Sequence, residues 1–259
     1  MKKLKLIDQI ANKLVYAFKH NNIISPIPLK FVKNINKAQE LRVLCESKVK
    51  WPVIGFKAGG TAIPVLKKLG EKEPFYASIY KKNLLKTGKR VKINKYTLGI
   101  ELEVCYLIKK NFFQSNNLIT MKNISKYITG MSTCIEVVGY RQRKKGLKYL
   151  GDICGDFGAN VKFIIGQNKK YKKINFNNLK TNIRNKSSMQ SVNGNTNTVY
   201  KNPLNSCRFV LNKLKKDQIK LDHNFYVFTG STVGVVPINK KGIFIGKIDK
   251  LGSVKAKII

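Results

Sequence analysis

The chain has 259 residues, with 51 lysines and arginines against 13 acids, for a formal net charge of +38. Its 43% hydrophobic and 10% aromatic content is that of a folded protein, which excludes global disorder. No apolar run approaches the length of a membrane span, and the chain is long enough to bury one large core, with or without a small appendage.

The N-terminus, MKKLKLIDQIANKLVYAFKH, starts basic like a signal peptide, but Asp8, Gln9, Asn12 and Lys13 interrupt any apolar core and no small-residue cleavage site follows. Ile7, Ala11, Leu14, Val15 and Phe18 instead follow the spacing of a helix with one buried face, a pattern that Lys-rich organellar targeting helices share. Pro26 and Pro28 force an extended connection across 25–31. A second helix is predicted over about 36–48, where Ala38, Leu41 and Cys45 recur. WPVIGFK (51–57) reads as a short strand ending at Gly59-Gly60. TAIPVLKKLG (61–70) suits a helix with Pro64 in its first turn and Gly70 as its stop.

From about residue 75 the pattern changes to short β-type runs, with strands predicted at 98–108, 132–139, 160–166, 225–229 and 243–248. In the Asn- and Lys-rich stretch 167–202, Asn193-Gly194 predicts the turn of an exposed hairpin. NPLNSCRFVLNKLKK (202–216) predicts a helix capped by Asn202, with Pro203 at its first position and Leu204, Cys207, Leu211 and Leu214 as its apolar stripe. The expected class is α+β: a helical N-terminal region, 1–74, and a β-rich body, 75–259, folded together.

Five cysteines (Cys45, Cys105, Cys134, Cys154, Cys207) are scattered and form no C-x-x-C pair, which predicts buried free thiols in a reducing cytoplasm. His20 and His223 give little material for a histidine zinc site or a Ser-His-Asp triad. The positive charge would suit nucleic acid, but it is spread along the chain, lysines far outnumber arginines, and no recognition motif is visible. An AT-rich coding bias accounts for abundant Lys, Asn and Ile equally well, so specific nucleic-acid binding is not expected. The same potential draws small anionic substrates.

Scarce acids make LGIELEVCYL (98–107) conspicuous. Its even positions, Leu98, Ile100, Leu102, Val104 and Tyr106, are apolar, which places Glu101 and Glu103 together on the other face with Gly99 and Cys105. Glu136 lies between Ile135 and Val137 in a second apolar strand, so three of the chain's seven glutamates are in such settings. Three convergent carboxylates without His or Cys make an all-oxygen site suited to Mg²⁺ or Mn²⁺. Two glutamates on a strand can also face solvent and pair with lysines, and periodicity leaves both readings open. Lys57, closing a buried strand, can serve as a proton carrier or an anion anchor.

Together these pieces resemble the hydratase/decarboxylase branch of the fumarylacetoacetate hydrolase superfamily, typified by 2-keto-4-pentenoate hydratase. GFKAGGT (55–61), LGIELEVCYLI (98–108), CIEVV (134–138), GDICGDFGANVKFIIG (151–166), NPLNSCRFVLNKL (202–214), FTGSTVGVVPI (228–238) and LGSV (251–254) match its motifs in order. The resemblance implies a β-sandwich or β-roll body of the C-terminal type of that superfamily. It implies Glu101, Glu103 and Glu136 as ligands of Mg²⁺ or Mn²⁺, Lys57 as the catalytic lysine, and Thr61, Asp156, Asn160, Ser231 and Thr232 at the substrate. It further implies a homo-oligomer that takes a small anionic 2-oxo acid.

The implied reaction is hydration of a 2-hydroxy-2,4-dienoate to a 4-hydroxy-2-oxo acid, with 2-oxo acid decarboxylation of the 4-oxalocrotonate type as the alternative. A non-catalytic polycationic binding protein on this scaffold is the rival from another class. Phe75, Phe157 and Ile63 depart from the polar residues usual in the motifs, which predicts altered walls around the substrate. Neither histidine begins the H-x-x-E pair of the branch's hydrolase relatives, which argues against C–C bond hydrolysis.

Overall fold

A computed structural model describes residues 5–142 and 148–259. The chain runs through helices α1 (Leu6–His20), α2 (Leu29–Val32) and α3 (Ile35–Val49), strand β1 (Val53–Gly59) and helix α4 (Ile63–Lys68). Strands β2 (Phe75–Tyr80), β3 (Leu84–Lys86), β4 (Arg90–Val91), β5 (Thr97–Ile108) and β6 (Ile128–Gly139) follow. Then come α5 (Leu150–Cys154), β7 (Asn160–Ile165), β8 (Lys169–Lys170), β9 (Lys180–Asn185), β10 (Ser191–Asn195) and α6 (Pro203–Lys216). Strands β11 (Phe225–Ser231), β12 (Val236–Pro237), β13 (Gly242–Ile248) and β14 (Gly252–Ile258) complete the fold.

Helices α1 and α3 pair because each carries an apolar stripe. Leu14, Val15 and Phe18 of α1 and Leu41, Cys45 and Val49 of α3 share one buried cluster. The Asn34 side chain caps α3, accepting from the amides of Asn36 and Lys37 at 2.9 and 3.3 Å. The double-proline segment is extended, and one short helix, α2, interrupts it before α3. No helix among the described residues is long and apolar enough to cross a membrane.

The larger sheet has the order β2-β1-β11-β5-β6-β7-β3, with β12 added to β5 and β8 to β6. It is antiparallel except where β1 runs beside β11 and β3 beside β7. The smaller sheet has the order β10-β9-β13-β14-β4. Ile100, Leu102, Val104, Tyr106 and Ile108 of β5 form one core with Phe244, Val254 and Ala256 of the smaller sheet and with Leu211 and Leu214 of α6. The mixed α+β architecture is the predicted one. β1, which falls within the predicted 1–74 region, lies inside the larger sheet between β2 and β11, so the helical region and the body share a sheet.

The five predicted strands are present, and all five cysteines are free and buried. The 167–202 stretch does form a hairpin, β9 with β10, but its turn lies at 186–190 rather than at Asn193-Gly194. Those two residues sit in β10, paired with Asn182 and Thr181. Glycine is required there for a different reason: a Cβ on Gly194 would stand 2.0 Å from the Thr232 carbonyl oxygen. The motif marks a close approach of two backbones, not a chain reversal.

Asn202 caps α6 by accepting from the Leu204 amide at 2.8 Å. Asn202→Ala should cost about 1 kcal/mol. In a chain of this size that lowers Tm by about 2–4 °C. Calorimetric scanning of the two proteins reads this directly, and an unchanged Tm would remove the cap from the account of α6.

Candidate metal centre

The site is built on four neighbouring strands, β1, β11, β5 and β6. Glu101 on β5 lies directly opposite Glu136 on β6, and Glu103 lies opposite Cys134, so alternation points all three carboxylates to one face. Single oxygens of the three carboxylates lie within 4.8 Å of one another. From β1, Lys57 reaches across β11 and donates to Glu136 Oε1 at 2.9 Å and to the Gly158 carbonyl at 3.1 Å. Glu103 and Glu136 are fully buried, Lys57 is nearly so, and Glu101 is part-exposed at the edge of a cavity.

Two backbone irregularities complete this arrangement. Between Phe228 and Ser231 the β11–β5 register shifts, a β-bulge that frees the Gly230 amide from the ladder. That amide donates to Glu103 Oε2 at 2.8 Å. Gly230 has φ +105°, and where its side chain would stand the Thr61 hydroxyl sits, so no other residue fits. The second irregularity is the run Phe157, Gly158, Ala159, with φ of 52°, 68° and 60°. Two non-glycine residues in the left-handed region cost roughly 1–2 kcal/mol each. The turn they make aims the Gly158 carbonyl at Lys57.

Burial drives the electrostatics. It raises the Glu101 carboxyl, raises Glu103 well above the carboxylate range, and pushes Glu136 up to about 7 against the opposing pull of Lys57. For Lys57 burial alone would lower the value, but Glu136, then Glu101 and Glu103, outweigh it and hold the ammonium above its usual range. One ammonium faces three carboxyls. Glu103 Oε1 and Glu136 Oε2 are buried with no hydrogen-bond partner. Orphaned buried oxygens converging on one point, with no nitrogen or sulfur among the donors, fit a hard divalent cation such as Mg²⁺ or Mn²⁺.

A cavity of about 540 Å³ opens over this face, lined by Lys57, Glu101, Thr61, Ser231 and Thr232 among others. The Thr232 hydroxyl donates to the Leu102 carbonyl and that of Ser231 to the Gly234 carbonyl, so both keep accepting capacity toward a ligand. Asp156 and Asn160 are not among the lining residues. Asp156 Oδ1 is paired with Arg141 at 2.9 Å, and its Oδ2 accepts from the Arg141 amide. The Asn160 carbonyl accepts from Arg141 Nη2, and its amide donates to the Ser78 carbonyl. The pair thus brackets the left-handed turn and holds it in place.

Phe157 and Phe75 also lie away from the cavity surface. Phe157 stacks on Phe18 with ring centroids 4.3 Å apart, inside the helical core, and Phe75 packs behind Gly59. Neither ring contributes to the cavity surface itself. Leu98, predicted for the core face, is instead exposed and lines the cavity, because the register shifts between Thr97 and Gly99. Tyr140, Asn193 and Thr198 line the cavity with no signal in the sequence that points to them.

No protein-family model and no curated protein matches the chain. Solved structures do match it, and the likeness is one of fold. Among them, 4-oxalocrotonate decarboxylase from Pseudomonas putida G7, complexed with magnesium and adipate, is 17% identical over 100% of both chains, with a TM-score of 0.85. Fumarylpyruvate hydrolase from Pseudomonas aeruginosa, in complex with Mn²⁺ and pyruvate, is 14% identical over 81% of this chain and 91% of its own, with a TM-score of 0.57. 2-Hydroxyhepta-2,4-diene-1,7-dioate isomerase from Mycobacterium marinum is 13% identical over 81% of this chain and 76% of its own, at 0.51.

Two outcomes follow from the site's charges. A cation needs the carboxylates ionised, so affinity for Mn²⁺ should fall as pH drops through about 7, where Glu136 takes up its proton. Below that point the loss should approach about tenfold per pH unit for each proton displaced. Calorimetry at pH 7 in buffers of different ionisation enthalpy should show proton release; binding with no proton release would place the cation elsewhere. Asp156→Ala, by contrast, leaves Arg141 buried and unpaired and should cost about 3–5 kcal/mol of stability. Urea unfolding should show a midpoint far below that of the parent protein, and a parental midpoint would remove the pair from its supporting role.

Proposed function

We propose that the chain is a divalent-metal-dependent hydratase that adds water to a 2-hydroxy-2,4-dienoate, giving a 4-hydroxy-2-oxo acid. The observation that carries this reading is the convergence of Glu101, Glu103 and Glu136, two with orphaned oxygens, beside a buried ammonium on a cavity floor. Mg²⁺ or Mn²⁺ held by these residues would polarise the 2-oxo group and stabilise negative charge on its oxygen.

Lys57 does the rest of the charge work. Its ammonium has three N–H groups, of which Glu136 and Gly158 occupy two. The third is available to a cavity ligand, and the fixed positive charge favours an enolate over the neutral keto form. Lys57 Nζ, 2.9 Å from Glu136 Oε1, can also relay a proton to and from the substrate carbon. The hydroxyls of Thr61, Ser231 and Thr232 line the same space; Thr61 would donate to the substrate carboxylate, and Ser231 and Thr232 would accept from the incoming water.

Decarboxylation of a 2-oxo acid calls on the same enolate stabilisation. The full-length likeness to the Pseudomonas putida decarboxylase supports it as the second reading. The five free buried thiols support a cytoplasmic setting, and the superfamily resemblance supports a homo-oligomer.

Loss of dienoate absorbance, followed with and without EDTA, tests the reading. Turnover should require the metal, and equal rates in both would end the metal-centred reading. Lys57→Ala should lower kcat by about 10²–10⁴-fold, and Glu103→Ala should do at least as much. Product analysis separates the two reactions: a decarboxylase releases CO₂, whereas a hydratase does not.

A further inference from the structure

The cavity is far larger, and far less charged, than a short dienoate needs. 2-Hydroxypenta-2,4-dienoate has eight non-hydrogen atoms, which at a water's share of about 30 Å³ each fill at most roughly 240 Å³. The cavity holds about 540 Å³. Beyond Lys57 and Glu101 on the floor, no Lys, Arg, Asp, Glu or His among the described residues lines it, in a chain carrying 51 lysines and arginines.

Its outer wall is mainly apolar, with Tyr140, Asn193 and Thr198 as its polar members. Ile153 and Val138 line the interior, and Val65, Leu98 and Val235 stand at 41%, 43% and 49% exposure while also lining the cavity. Large apolar side chains left open to solvent around one cavity mark a surface kept for a ligand. A second carboxylate placed against that wall would lose its hydration with no cation among the described residues to replace it.

We infer that the substrate is a monocarboxylate whose tail, beyond the 2-oxo acid head, is uncharged, apolar and longer than that of a five-carbon dienoate. The inference rests on the head-group reading given above, in which the carboxylate and 2-oxo oxygen sit at the glutamate cluster. It separates this chain's substrate from dicarboxylates such as the adipate held by the Pseudomonas putida structure. The tail runs from the cluster past Val138 toward Leu98 and Val235.

Binding, read by calorimetry on the Mg²⁺-loaded protein, tests it with three inert probes: pyruvate, 2-oxohexanoate and 2-oxoadipate. Pyruvate reports the head alone, and the two six-carbon acids differ at the far end, a methyl in one and a carboxylate in the other. 2-Oxohexanoate should bind about tenfold or more tighter than pyruvate, because its tail gains apolar contact. 2-Oxoadipate should bind about tenfold or more weaker than 2-oxohexanoate. Val235→Lys, at an exposed position, should shift the ratio of the two six-carbon acids toward 2-oxoadipate.

Pyruvate binding that needs Mg²⁺, with 2-oxoadipate as tight as or tighter than 2-oxohexanoate, overturns the inference about the tail and leaves the head-group reading standing. A ratio unmoved by Val235→Lys overturns the path assigned to the tail. If none of the three acids binds in a metal-dependent way, the head-group reading itself falls, and this inference with it.

Discussion

The structure turns on an imbalance of charge. Three carboxyls converge on one sheet face with a single ammonium beside them, and two of their oxygens are buried without a partner. Isolated buried carboxylates are so unfavourable that they take up protons instead, which is why burial moves all three upward. Such a cluster is costly in itself and contributes nothing obvious to packing. Under the proposed function it is a receptor for positive charge.

The rest of the fold holds that imbalance in place. The β11 bulge turns one backbone amide onto Glu103, and the left-handed turn at 157–159 turns one carbonyl onto Lys57. Both are locally unfavourable backbone arrangements, and each is secured from outside. Thr61 fills the space beside Gly230, while Phe157 is stacked on Phe18 and flanked by the Arg141 guanidinium. Arg141 in turn pairs with Asp156 and with the Asn160 carbonyl, so the residues bracketing the turn are tied to one cation. Local strain of this kind persists only where surrounding packing over-determines it.

How much of this was legible in the sequence depends on the range of the interaction. Period-two alternation in 98–108 placed Glu101 and Glu103 on one face, and the antiparallel register sets Glu136 opposite Glu101. The α6 cap and the α3 and α6 stripes are equally local, and they stand where they were predicted, whereas the Asn34 cap of α3 comes from the structure. The reading of Asn193-Gly194 as a turn went wrong because its glycine answers to Thr232, far away in sequence. Leu98 went wrong because one bulge reverses the face of a residue, and no composition signals it. The motif resemblance named Asp156 and Asn160 together with cavity residues, but the structure sets them behind the turn, where they act on Lys57 through the backbone.

Charge is also distributed at a larger scale. The chain is strongly cationic overall, yet among the described residues its cavity presents one ammonium, one carboxylate at the edge and otherwise neutral walls. The long-range field draws any small anion toward the molecule and does little to distinguish one anion from another. Under the proposed function, discrimination comes from short range, where the glutamate cluster sets the chemistry of the head and the mainly apolar wall sets that of the tail. A fold shared with a decarboxylase, a hydrolase and an isomerase fits this division, because Val65, Ile153 and Val235 of the wall lie outside the strands that carry the floor, while Leu98 and Val138 sit near the ends of β5 and β6. Under the proposed function, changes at Val65, Ile153 and Val235 would alter which oxo acid enters without touching the strands that decide what is done to it.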